Sequence, residues 1–211
     1  MFLKFPPING ESKESGEKGG TEDINIGIGE LQEGKPKAIV IVGSKVRALS
    51  QEHINEIKNV APKSAAEVKT EADLALFAAA TAADDRPTEE VAFYYGKIVV
   101  KYEAQGKLFG FLSHAFTETV TLDMDADGLA RVKVKLPWYS FVLSPAVSVK
   151  EMETETTQAD EGHKKWIEIL SVGVGASIET QAAAHAQAFT SLSNVLKTKH
   201  DTAKNSIGNI R

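Results

Sequence analysis

Cysteine is missing altogether from these 211 residues, which removes disulfides, thiolate metal sites and cysteine nucleophiles together without fixing a compartment. Long apolar runs are missing too. Although 42% of the chain is hydrophobic, no stretch approaches the ~18 residues that a membrane-crossing helix needs, so no membrane insertion is expected. The opening MFLKFPPINGES carries no basic leader ahead of an apolar segment. No cleavable secretion signal is read there; the expected location is cytoplasmic, with any export independent of a signal peptide. Basic excess is the third absence. A net charge of −5 with no concentrated Lys/Arg run argues against nucleic acid as a partner, because phosphate recognition needs a basic surface.

Catalytic and cofactor signatures are equally scarce. The five histidines, His53, His114, His163, His185 and His200, lie far apart and never form a His-x-x-x-His pair with an adjacent Glu, so no metal site is expected. There is no Gly-x-Ser-x-Gly elbow, and no carboxylate pair stands out among the 29 acids. Asp123-x-Asp125-x-Asp127-Gly128 copies the opening of a calcium loop, but the closing bidentate position falls on Val134. The segment reads as a hairpin turn. Gly173-x-Gly175 stands where a dinucleotide-binding turn would, with Ile178 in place of the third glycine and no second strand to follow. Close packing of a glycine face explains it. The chain is expected to be no enzyme and to need no cofactor.

What is present is pattern. Ala38 to Val42 (AIVIV) reads as a compact apolar strand of parallel or sandwich-core character closed by Gly43. Ser50 caps a helix whose buried side is Ile54, Ile57 and Val60 and which Pro62 stops. Ser64 with Glu67 makes a capping box that opens a second helix through Leu74 and Phe77 to about Ala83. From Val91 the period becomes two. Ala92–Glu103, Lys107–Asp123 and Leu129–Leu136 read as a β-meander turning at Gln105-Gly106 and at Asp125–Gly128, with Trp138, Tyr139, Phe141 and Val142 as its aromatic core. Val147–Met152 is a candidate further strand.

Glu161 to Ser177 reads as a buried strand delivering the chain into a long helix. One stripe of that helix carries Ile178, Ala182, His185, Phe189, Leu192, Leu196 and Ala203. Either the parent domain or a neighbouring copy can bury such a stripe. As an assembly surface the candidates are Phe189, Leu192 and Leu196, with Gly173 and Gly175 of the preceding strand. The expected fold class is α+β: a mainly antiparallel β-sheet or barrel, two short helices in the middle and a long C-terminal helix. Three regions are delimited: an N-terminal strand and Gly-rich extension at 1–36, a central α+β region at 37–150, and the buried strand with its helix at 151–211, packed with 1–36.

Two pieces of the chain resemble the tube-forming proteins of type VI secretion systems. Phe2, Leu3, Lys4, Ile8, Gly10, Glu11 and Ser12 match that family's first strand, and His163, Ile167, Glu168, Ile169, Leu170, Ser171 and Gly175 match the segment that follows it there. The resemblance implies a non-enzymatic structural subunit that closes into homo-oligomeric rings, hexameric in that family, stacks into a tube, and meets other components of a secretion machine. It also implies that Phe2–Phe5 lies beside Trp166–Val174. The alternative reading is a ligand- or partner-binding module with its pocket in the 91–150 meander near Trp138 and Tyr139.

Overall fold

A computed structural model describes residues 39–94, 96–124, 130–145 and 178–208. Strand β1 (Ile39–Val42) runs into the one-turn helix α1 (Gly43–Arg47), followed by α2 (Gln51–Val60), a 3₁₀ turn (Ala65–Glu67) and α3 (Glu71–Asp84). Strands β2 (Thr88–Tyr94), β3 (Lys97–Leu108), β4 (Leu112–Met124) and β5 (Ala130–Lys135) come next, then a second 3₁₀ turn (Ser140–Val142), the short β6 (Leu143–Pro145) and the long helix α4 (Ile178–Gly208). The sheet is antiparallel throughout, in the order β1-β2-β3-β4-β5, and β6 pairs with the far end of β3 beyond β2. The fold is α+β, as expected, but the sheet is open. β1 and β5 stand at its opposite edges and do not meet, so the barrel alternative is not realised.

The period-two pattern sets one face inward. Ile39 and Ile41 of β1 register with Phe93 and Val91 of β2, which register in turn with Ile98 and Val100 of β3. Val120 and Leu122 of β4 and Val134 and Val132 of β5 continue the same rows. Helices α3 and α4 cover this face. Buried alanines mark both helices, Ala75, Ala78, Ala79 and Ala82 on α3 and Ala182, Ala184, Ala186 and Ala188 on α4. Small side chains let the helix axes approach closely, which is how an alanine-rich helix with little bulk becomes core.

Phe189 anchors the contact. Its ring meets Phe77 of α3 edge-on at 6.5 Å between centroids and Phe93 of β2 at 5.6 Å. Phe189, Leu192 and Leu196 are 0%, 1% and 1% exposed, buried by their own chain. The stripe read from the sequence is therefore real, and its partner is the parent domain. These three residues present no surface to a second copy, which corrects their candidacy as an assembly interface. Gly173, Gly175, the Phe2–Phe5 and Trp166–Val174 strands, Val147–Met152 and the Asp125–Gly128 turn lie outside the described residues.

Local chemistry moved several boundaries. Ser50 caps α2 as expected, accepting from the His53 amide, but Val60 is 58% exposed and off the buried side. Glu67 accepts from the Lys63 amide and from the Ser64 hydroxyl, which closes a 3₁₀ turn and not a helix. The capping box belongs to Thr70 and Asp73, which open α3. β1 pairs antiparallel with β2, which leaves the sandwich-core half of its reading and not the parallel one, and among the described residues it stands at the sheet's edge. The stretch expected as one strand from Ala92 breaks near Gly96, whose φ of +66° suits glycine. Gln105-Gly106 lies inside β3, and the chain reverses at Phe109–Phe111 instead.

Gly43 is fixed by close approach. A Cβ there would meet the Thr88 carbonyl oxygen at 2.3 Å and the Arg47 Nη1 at 2.8 Å. Arg47 uses this proximity: its Nη1 donates to the carbonyls of Ala82, Asp85 and Thr88 at 3.1, 3.4 and 2.8 Å. It thereby caps the end of α3, where carbonyls lack helical partners and the dipole favours a cation, and holds the α3–β2 corner in place.

Candidate functional site

That corner forms one wall of an open cleft of about 950 Å³. Asp84, Asp85, Arg86 and Pro87 supply the corner, Tyr102, Glu103 and Gln105 of β3 the floor, and Lys197, His200, Asp201 and Lys204 of α4 the opposite wall. The four α4 residues are spaced three and four apart, so one helical face delivers all of them. β3 is locked to the corner by the Glu103 amide, which donates to the Pro87 carbonyl at 2.7 Å.

The inward rows of the sheet end here in polar groups. Tyr102 follows Ile98 and Val100 on β3, and Glu118 precedes Val120 and Leu122 on β4, and the two are cross-strand partners. Tyr102 is 1% exposed and Glu118 4%. Burial raises the Glu118 carboxyl from its ordinary 4.5 to about 7, since a desolvated carboxylate is the disfavoured form. Burial also raises the Tyr102 phenol, and the acids Asp85, Asp201 and Glu118 push it further in the same direction. The Tyr102 ring meets His200 edge-on at 6.0 Å. Among the described residues neither the Tyr102 hydroxyl nor the His200 Nδ1 has a hydrogen-bond partner, although both atoms are buried. Buried polar atoms are ordinarily satisfied, and leaving one unpaired costs roughly 1–3 kcal/mol.

Sequence reading did not single out this group. Tyr102, Glu118 and His200 are distant along the chain, and only the register of β4 flags one of them: Glu118 falls in phase with Phe116, Val120 and Leu122. Trp138 and Tyr139, near which a pocket was expected, do not line this cleft. Trp138 is 85% and Phe141 79% exposed, so neither is the aromatic core of the meander. Of the other described histidines, His53 bonds Ser50, His114 faces the Tyr139 ring, and His185 is buried against Phe93, with burial lowering its basicity. Among the described residues no cluster of three His, Asp or Glu side chains suited to a metal forms, and no helix is long and apolar enough to cross a membrane.

No protein-family model, curated protein or solved structure matches the chain.

Proposed function

We propose that this chain is a binding module whose small polar ligand occupies the cleft between α4 and β3. The carrying observation is the pair of buried atoms without partners among the described residues, the Tyr102 hydroxyl and the His200 Nδ1, on the lining of one cleft. Fixed polar groups in a concave site orient a ligand. The lining carries charges of both signs. Asp85 and Asp201 make the field at the Tyr102 hydroxyl negative, which suits a donor or an ammonium group, whereas Arg86, Lys197 and Lys204 suit a carboxylate or phosphate. A compact zwitterion satisfies both. Binding rather than chemistry is the better reading, because Tyr102 and His200 meet through ring edges and share no hydrogen bond of the kind that activates a nucleophile.

Tyr102→Phe tests this directly. The variant removes a hydroxyl that no described residue bonds, so its stability should hold or rise by about 1 kcal/mol in urea unfolding. Calorimetric titration with free amino acids should show binding to the parent protein and weaker binding to the variant. A clear loss of stability would mean that the hydroxyl is satisfied within the fold, and the proposal would fail.

A second reading, the self-assembling structural subunit, draws support from β1, which among the described residues pairs on one side only. Such an edge is a template for another strand. Light scattering over a concentration series separates the readings: a discrete ring-sized mass supports assembly, and a monomer at every concentration overturns it.

A further inference from the structure

Behind the cleft stands a carboxyl that does not line it. Glu118 is 4% exposed and lies on β4 directly across from Tyr102 on β3. Cross-strand partners project from the same face of a sheet, with their Cβ atoms about 5 Å apart. Tyr102 is on the lining of the cleft and Glu118 is not, so the carboxyl acts on an occupant through its field rather than by contact.

Among the described residues no base forms an ion pair with that carboxyl. On β3 the charges flanking Tyr102, Lys101 and Glu103, alternate to the opposite face, where Lys101 holds Glu90 at 3.0 Å. From β5 the inward side chains are Val132 and Val134. Helix α4 brings Lys197, His200, Asp201 and Lys204 to this end, and the α3–β2 corner brings Asp85 and Arg86. Arg47 is engaged through Nη1 with three backbone carbonyls. Glu118 therefore ionises without a counter-ion of its own, and burial raises its carboxyl to about 7.

The hydroxyl in front of it feels that charge. Burial raises the Tyr102 phenol, and Asp85, Asp201 and Glu118 add to the rise, which places the negative potential of three acids at one oxygen. An ammonium group has three donors and no acceptor. The Tyr102 oxygen and the His200 Nδ1, both without partners among the described residues, can accept from it. A cation held there favours the ionised carboxyl, as an opposite charge does for any acid. By reciprocity the ionised carboxyl favours the cation by the same factor.

We infer that the cleft exchanges a proton for its ligand, with Glu118 releasing its proton to solvent as a ligand ammonium settles against Tyr102 and His200. This rests on the reading of the cleft as a site for a compact zwitterion. The bond that breaks is the Glu118 O–H; the ligand keeps all its protons, and the complex carries one proton fewer than its separate parts.

The test is calorimetric titration of the full chain with the neutral free amino acids, which stay zwitterionic throughout, at pH 6 and at pH 8. Those that bind should bind about tenfold tighter at pH 8, the scale of one added charge close to the site. Near pH 7 the heat should vary with the ionisation enthalpy of the buffer in the sense of proton release. Glu118→Gln keeps the shape of the side chain and cannot ionise. It should bind with one affinity at both pH values, close to that of the parent at pH 6, and release no proton. Equal binding by the parent at the two pH values, or a pH dependence that Glu118→Gln retains, would overturn the inference and leave the cleft a binding site. Absence of binding by every amino acid at both pH values would remove the cleft reading and this inference together.

Discussion

The two halves of the β3–β4 hairpin obey opposite rules. In the half under α4, side chains sort in the ordinary way until the rows end in Tyr102 and Glu118, where titratable groups are buried. In the projecting half, Phe109, Phe111 and Leu112 are exposed although nothing in their chemistry favours water. A buried Leu or an exposed Lys carries little information, since folding alone accounts for it. A buried polar group or a large exposed apolar patch is where stability has been given up, and each half of this hairpin holds one of these departures.

The largest test of that contrast sets two aromatic residues against each other. Phe189→Ala leaves a cavity between Phe77 and Phe93 and should cost about 3–5 kcal/mol in chemical unfolding. Trp138→Ala removes a bigger side chain that is 85% exposed and should move stability by no more than ~0.5 kcal/mol. Comparable losses would mean that the tip is packed against something, and the division of the hairpin into two halves would be wrong.

The next test uses pH. Glu118 keeps its proton to about pH 7 in the folded chain, whereas an ordinary carboxyl releases it near 4.5. Between those values the folded state binds more protons than the unfolded state, so this group's contribution is complete below about 4.5 and is lost as pH rises through about 7. The loss is of order 3 kcal/mol, from about 1.4 kcal/mol for each unit of displacement. Glu118→Gln cannot ionise. It should therefore be more stable than the parent at pH 8, by up to that amount, and nearly equal to it at pH 4. His185 acts in the opposite direction, because burial lowers its basicity and its contribution is lost as pH falls below its ordinary 6.5. Comparing Glu118→Gln with the parent isolates the carboxyl from that background. Parallel pH curves for the two proteins would show that Glu118 is solvated.

How much of this was legible in the sequence depends on whether local or non-local physics decides. The α4 stripe was legible because a helical period needs only the helix. Its partner was not, because an alanine-rich face reads the same whether a sheet or a second copy covers it, and only the matching alanines of α3 resolve the choice. The meander was legible from its period of two. Its first turn was misplaced because Gly106 looks like a turn residue, whereas the chain reverses at Phe109, a residue that no turn preference would select. Trp138 and Phe141 read as core because aromatics usually go there, and the structure leaves both exposed. The cleft was invisible, since Tyr102, Glu118 and His200 converge only through strand register and helix packing. Glu118 alone gave a signal, a carboxylate in phase with Phe116 and Val120.

The smallest expected effect falls on Phe109, where the two halves can be separated by a single residue. Asparagine enters the left-handed region with less strain than phenylalanine because its short polar side chain bonds locally. It also avoids the extra unfolded-state freedom that glycine would bring. Phe109 is 63% exposed at φ +54°, so Phe109→Asn surrenders little packing while it relieves backbone strain. Stability should rise by about 0.5–1 kcal/mol, read as a higher urea midpoint with an unchanged slope. A lower midpoint would place Phe109 in the supporting structure of the turn and return this end of the hairpin to the ordinary rule.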